Sequence, residues 1–259
     1  MTIQLTIIKI DEYGPWTLTL GSDRESQLQM LQAKTYHDLQ KAFSEKNCLV
    51  FFNRFDEYFV ITNTLSIGGH ISIIKEISKQ TELSLSFTIG RGNTPLDANM
   101  QAYQARKERK YLDTDTTFPI YGCSSCFLEP DPIQAVENDV KILHIDLEGS
   151  SNLTSKLSPY EVTFNVMNIY TMLMNAFLKK NSLTFFLGGD NFMTVTSLRY
   201  KYQISELLNN VSSKLGITLN CGIGIGKNSR DAAKNATHAL DSIRKLRDEG
   251  KIIHIYEIQ

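Results

Sequence analysis

The chain has 259 residues, of which 42% are hydrophobic and 21% charged, and its net charge is −1. That length suits one large domain or two ordinary ones with real cores. The balanced charge excludes a general attraction to nucleic acid or anionic membrane, and no apolar run approaches the roughly 20 residues of a membrane helix.

The N-terminus, "MTIQLTIIKID", lacks a basic leader region and reads as a strand, so a cytoplasmic protein is expected. In chain order, Ile3 to Ile10 reads as a strand and Ser26 to Ser44 as a helix. Leu49 to Asn63 reads as a hairpin and His70 to Lys79 as a second helix. "LSLSFTIG" is the next strand, and a helix follows near Pro95 to Arg109. "TTFPIYGCSSCFLEPDPIQAVEND" carries three of the six prolines and marks a boundary. The expected division is a domain over 1–118, a linker over 119–139 and a domain over 140–259.

The second half repeats the order. "KILHIDL" is a strand. Ser158, Pro159 and Glu161 form a capping-box start, with Val162, Val166, Ile169, Leu173 and Phe177 following at helical spacing. "SLTFFLG" and "NFMTVTS" are hairpin arms, and a helix closed by Gly216 comes next. "ITLNCGIGIG" is a strand. A helix with Ser229 as candidate cap and Gly250 as stop leads to the last strand, "KIIHIYEI". Each half is β-α-β-β-α-β, so the fold class is α+β, with two tandem ferredoxin-like domains.

The halves look duplicated. Asp11 and Asp146 each end an Ile-Asp run with Gly three residues on, 135 residues apart. Asp56 and Asp190, Gly90 and Gly224, and Asp97 and Asp231 are each 134 apart. In this fold the first strand lies beside the hairpin, so Asp146 and Asp190 are expected to meet, as are Asp11 and Asp56 in the first copy. Two such carboxylates repel unless a cation separates them, and Mg²⁺ takes oxygen ligands of this kind. Gly149, Ser150, Ser151 and Asn152 can offer backbone N–H groups to a triphosphate. Gly188 and Gly189 leave space above the hairpin, and Asn191 adjoins them. Lys227 and Arg230, at the start of the last long helix, are candidates to neutralise phosphate.

Cys123 and Cys126 form a lone C-x-x-C, too few ligands for a closed zinc site, and the five histidines show no paired metal-binding spacing. Phe164, Met167 and Met174 lie off the main apolar face of their helix and suggest a subunit contact.

The Asp on strand one, the turn after it and the Asp on the hairpin resemble the palm-like nucleotidyl cyclases. "GGDNF" departs from the diguanylate cyclase GGDEF, because Asn191 stands where Glu is expected. In such cyclases one domain holds the metals and its partner reads the base. Tyr13, Trp16, Arg24 and Glu25 are therefore the candidate guanine contacts.

Across its whole length the chain resembles the GTP cyclohydrolase III family. The resemblance rests on "IDEYGPWT", "RESQLQMLQ", "RFDEYFVIT", "HIDLEGSSNLT", "TFFLGGDNFM" and "GIGIGKNSRDA". It implies an Mg²⁺-dependent enzyme without zinc that opens the imidazole ring of GTP at C8 and hydrolyses the triphosphate. The product would be a formylamino-pyrimidine ribonucleotide monophosphate used in flavin and deazaflavin synthesis. The resemblance also implies a homo-oligomer, a tetramer. The alternatives are a cyclase-like GTP enzyme and an inactive nucleotide sensor.

Overall fold

In the computed structural model the described residues are 2–113, 117–123, 139–150 and 155–259. They form two compact units, Thr2–Asn93 with Asp97–Asn138, and Asp139–Gln259 with Thr94–Leu96. Each is a palm-type α/β sandwich. Among the described residues no helix is long and apolar enough to cross a membrane.

The first unit contains β1 (Ile3–Ile10), α1 (Tyr13–Leu18), α2 (Arg24–Ser44), β2 (Leu49–Arg54), β3 (Glu57–Ile61), α3 (Ile67–Ile77), β4 (Leu85–Gly92), α4 (Pro95–Lys107), β5 (Tyr111–Asp113) and β6 (Ile120–Gly122). Its sheet order is β2-β3-β1-β4-β6-β5. The second contains β7 (Val140–Leu147), α5 (Pro159–Leu178), β8 (Leu183–Gly188), β9 (Asn191–Val195), α6 (Lys201–Leu215), β10 (Leu219–Gly226), α7 (Ser229–Asp248) and β11 (Ile255–Ile258). Its order, read from the hairpin edge, is β8-β9-β7-β10-β11. In both, the first strand lies between the hairpin and the fourth strand, antiparallel to each. This is the split βαβ arrangement expected from the element order.

Two sequence expectations change, and one further element appears. Tyr13–Leu18, which carries no hydrophobic period, forms a short helix. Ile120–Gly122, inside the segment read as a linker, is β6 and pairs with β4. The cap of α7 is Asn228, whose side chain accepts from the Asp231 N–H, so Ser229 becomes the first helical residue.

Alternation along β7 and β10 sorts side chains to two layers. Leu143, Ile145, Leu147, Cys221 and Ile223 face α5 and α6, where Val166, Ile169, Leu173, Phe177, Ile204, Leu208 and Val211 complete the core. The opposite face of β10 presents Gly222 and Gly224 to α7. A methyl at Gly224 would lie 2.0 Å from the Ala232 carbonyl oxygen and 2.2 Å from the Ala236 nitrogen. The bare strand lets α7 lie directly on the sheet, and Gly90 plays the same part under α4. The seating of α7 matters because its C-terminal half reaches the candidate site.

The first unit also buries a polar chain. Thr6 Oγ1 lies 2.8 Å from His70 Nε2, and His70 Nδ1 lies 2.8 Å from the Ser66 carbonyl. The carbonyl can only accept, so Nδ1 carries the proton and Nε2 accepts from Thr6. Burial disfavours the charged ring and lowers the His70 pKa from 6.5 to about 4.

Two outcomes follow. Gly224→Ala should cost at least about 1–3 kcal/mol through overpacking, lowering the thermal midpoint by about 2–4 °C per kcal/mol; an unchanged midpoint would refute the close seating of α7. For His70, the unfolded ring takes a proton below about 6.5 while the folded one resists to about 4. The stability it contributes is complete above 6.5 and falls by about 1.4 kcal/mol per pH unit on acidification, roughly 3 kcal/mol in all. Denaturant titrations of the protein and of His70→Gln at pH 7 and 4.5 should show this extra loss only with the histidine.

Candidate active site

The C-terminal end of β7 delivers Asp146 to one end of the second sheet. Register places Asp146 opposite Asn191 of β9 on one side and Asn220 of β10 on the other. The β8–β9 turn carries Gly188 and Gly189 at φ of 108° and 61°. L-residues rarely adopt such angles, so these two glycines allow the tight reversal that presents Asp190.

Asp146 is buried, and burial is the first reason its carboxyl is held above the usual carboxylate range. Arg244 Nη2, 2.9 Å from Asp146 Oδ2, opposes that shift. The Asp190 carboxylate raises it further, by its charge and by direct hydrogen bonding to Asp146. The two acids are therefore close enough for Asp190 to affect the ionisation of Asp146. The hydrogen bond to Asp146 in turn raises the pKa of Arg244.

Behind the acids lies a polar chain. His144 is two residues before Asp146 and on the same face of β7. Its Nε2 lies 3.0 Å from Asn191 Oδ1 and its Nδ1 3.1 Å from Thr237 Oγ1 of α7. Asn191 Nδ2 donates to Asp190 Oδ1 at 3.0 Å. Burial lowers the His144 pKa, partly offset by the Asn191 contact.

Beside the turn opens a cavity of about 390 Å³, a usual size for a small-molecule site. Leu147, Val162, Val166, Met167 and Phe186 form apolar walls, and Ser150, Gly188, Gly189 and Asp190 its polar rim. Met167 thus lines this cavity, whereas Phe164 and Met174 are exposed. The capping box at Ser158 holds the start of α5, with Glu161 Oε2 accepting from the Ser158 N–H at 2.8 Å. Gly149 takes φ 68° in the turn after β7. Ser151, Asn152 and Cys126 lie outside the described residues; Cys123 is buried in the first unit.

Lys227 and Arg230 are not brought to this end. They follow Gly226, which pairs with Val140, six residues and about 20 Å along β7 from Asp146. Lys227 instead pairs with Asp139 at 2.7 Å. The cation at the acids is Arg244, 14 residues further along α7 than Arg230, which is about 21 Å of helix. The helix runs back along the strand it covers, so its far half returns to the strand's other end.

The first unit does not repeat the acid pair. Hairpin and fourth-strand positions correspond at an offset of 134, but β1 and β7 correspond at 137. Lys9 pairs with Glu57 and Ser86, as Asp146 pairs with Asn191 and Asn220. Asp11 N–H donates to Ser84 O, as Glu148 N–H donates to Thr218 O. The counterpart of Asp146 is therefore Lys9, and that of Asp11 is Glu148. A slip of two residues preserves face alternation, so the apolar pattern matched equally well in either alignment.

Asp11 is held by Ser86 Oγ and Arg106 Nη2, each at 2.8 Å. Asp56 lies 3.6 Å from Arg54 Nε. Tyr13 and Trp16 form an aromatic pair 6.1 Å apart, and the Tyr13 hydroxyl accepts from Gln32 at 2.5 Å. Burial and then the Asp56 charge raise the Tyr13 pKa. Arg24 and Glu25 pair with each other at 3.6 Å at the start of α2. No group of three or more His, Cys, Asp or Glu side chains is placed to hold a metal among the described residues.

Each unit is thus a ferredoxin-like domain of palm type, and the second carries an acid pair beside a cavity. A GTP cyclohydrolase III family model matches residues 3–256, and the chain belongs to that family. Similar relatives include the GTP cyclohydrolase III of Methanobrevibacter smithii, 36% identical over 93% of this chain and 94% of that one. That of Methanocaldococcus jannaschii is 34% identical over 95% and 90%. Among solved structures, the active GGEEF domain of a diguanylate cyclase from Vibrio cholerae is similar over 49% of this chain and 88% of its own, at 11% identity and a TM-score of 0.40. A bacterial light-regulated adenylyl cyclase is similar over 95% and 83%, at 13% identity and a TM-score of 0.34.

Arg244 lowers the Asp146 pKa by hydrogen bond and by charge. In Arg244→Gln the Asp146 carboxyl should therefore titrate at higher pH than in the unaltered protein. Carbon-detected NMR titration of the aspartate carboxyls checks this, and a downward shift would contradict the assigned pairing.

Proposed function

We propose that the protein is an Mg²⁺-dependent GTP cyclohydrolase. In the proposed reaction a water oxygen adds to C8 while N7 takes a proton, the C8–N9 bond then breaks as the hydroxyl proton passes to N9, and the formyl group stays on N7. The triphosphate is hydrolysed to the monophosphate with release of inorganic phosphate. The product is 2-amino-5-formylamino-6-ribosylamino-4(3H)-pyrimidinone 5′-monophosphate, a precursor for flavin and deazaflavin synthesis. Membership of the family supports the substrate and the ring opening. The observation that carries the site assignment is the placement of Asp190 at the cavity rim, on the Gly188–Gly189 reversal and next to Asn191, which pairs with Asp146 across the sheet.

The donor set fits Mg²⁺. Two carboxylates lie near one another, one affecting the other's charge, and oxygen donors are what a hard cation takes. Asp146 and Asp190 would hold it, and when bound it supplies neutralisation of phosphate charge and Lewis-acid polarisation. The rest belongs to the chain. The bare Gly188–Gly189 turn lets phosphate approach the backbone, and the Ser150 hydroxyl lines the same rim. Leu147, Val162, Val166, Met167 and Phe186 exclude water from the walls. Arg244 favours the carboxylate form of Asp146 against the effect of burial.

This reading confines the cation to the second unit. With Lys9 in the place of Asp146, the first unit carries a fixed cation where the second carries an acid. Asp11 and Asp56 then serve local structure. Tyr13 and Trp16 remain the proposed base contacts, with Arg24 and Glu25 beside them in sequence. Tyr160, Phe164, Met174 and Leu178 form an exposed apolar stripe on one side of α5, which supports a homo-oligomer, in a cytoplasmic setting.

Incubation with GTP and Mg²⁺ should release phosphate and remove the guanine absorbance, and chelation should stop both. Pyrophosphate with a cyclic nucleotide would overturn the reading in favour of a cyclase. Asp190→Asn should lower turnover by about 100-fold or more with an unchanged circular dichroism spectrum, while Asp11→Asn should retain most activity. Equal losses in the two variants would refute the confinement to the second unit.

A further inference from the structure

The polar chain behind Asp190 has a direction. An ionised Asp190 only accepts, so the Asn191 amide must turn its NH₂ towards Asp190 Oδ1 at 3.0 Å. That leaves Asn191 Oδ1, also only an acceptor, facing His144 Nε2 at 3.0 Å. His144 must therefore donate from Nε2. In the neutral ring Nδ1 is then an acceptor, and the Thr237 hydroxyl at 3.1 Å is its donor. The Thr237 oxygen also lies 3.1 Å from the Ala233 carbonyl, so its single proton is shared between the two acceptors. The donors of His144 and Asn191 both point towards Asp190, and Thr237 faces the ring from behind.

The first unit lacks this run at every step. By the same register, Ile7 stands for His144, Glu57 for Asn191 and Tyr103 for Thr237, and Lys9 stands for Asp146. Within one chain, the copy with two acids in contact has the relay, and the copy without the second acid has none of its members. A carboxylate at position 191 would have no N–H to give Asp190 and would add a third negative charge beside two acids already in contact.

We propose that His144 is a positioning residue. Through Asn191 it fixes the orientation of the Asp190 carboxylate, and so sets the affinity of the acid pair for a divalent cation. This rests on the reading of Asp146 and Asp190 as a cation site. It makes His144 part of the site without contact to substrate or cation, with Thr237 anchoring it from α7. Partners that orient metal-binding side chains commonly change metal affinity by about 10–100-fold when removed.

The test is direct Mn²⁺ binding to the full-length protein, followed by the electron paramagnetic resonance signal of free Mn²⁺, with no nucleotide present. His144→Ala should weaken binding by about tenfold. His144→Gln, whose amide can donate to Asn191 and accept from Thr237, should recover most of it. Asp190→Asn should abolish binding. Wild-type affinity in His144→Ala, with binding lost in Asp190→Asn, would overturn the relay and leave the cation site standing. Wild-type affinity in Asp190→Asn would overturn the cation site and the relay together. Equal weakening in His144→Ala and His144→Gln would mean that the ring only fills space, and would also overturn the proposal. If His144→Ala does not fold, Thr237→Val carries the test: weakened Mn²⁺ binding supports the relay and unchanged binding refutes it.

Discussion

Two carboxylates pressed together at the end of a sheet raise the free energy of the fold unless something offsets their charge. In this protein that contact, Asp146 against Asp190, explains most of what surrounds it. Arg244 reaches Asp146 from α7 and favours its ionised form, against burial and the neighbouring acid, which raise its pKa. Arg244 can reach because Gly222 and Gly224 let α7 lie directly on β10. Asp190 can approach because Gly188 and Gly189 accept backbone angles that other residues resist. The glycines under the helix and the glycines in the turn thus serve one electrostatic arrangement from two sides.

The duplicated architecture sharpens this. Both units use the same strand order and the same glycine-under-helix packing, so the scaffold alone does not require the acids. The first unit places Lys9 where the second places Asp146, and it spends its polar side chains on structure. Its Gln4, Thr6, Thr62 and His70 form a buried hydrogen-bonded chain. Asp11 is held by Ser86 and Arg106. One copy buries polarity that is internally satisfied, and the other brings together acids that a cation would satisfy better. That contrast accords with family membership while giving each copy a different physical task.

Much was legible in the residues themselves. The alternation of "KILHIDL" and the helical spacing of Val162, Val166, Ile169, Leu173 and Phe177 report which faces are buried, because burial follows the period of the element. Ser158, Pro159 and Glu161 announce the start of α5 through purely local hydrogen bonds. Asp190 was legible as a turn residue, and its meeting with Asp146 followed from the fold's strand order. Other parts were not legible. Arg244 is one of several arginines and lysines on α7, and no local signal distinguishes the one that reaches back to β7. His144 carries no signal of its own, because a lone histidine on a strand has no spacing to mark it.

The sequence by itself determined the order of the main strands and helices, the duplication and the hairpin tip that carries Asp190, since these rest on local periods, caps and turns. Only the tertiary structure decided the register of β1 against its neighbours. That register exchanges Lys9 for Asp11 as the counterpart of Asp146. A two-residue slip leaves the apolar pattern of a strand unchanged, so the choice depends on hydrogen-bond pairing with β3 and β4 and on nothing the strand carries alone. The same holds for Arg244 and His144, whose roles come from helix and strand lying across one another.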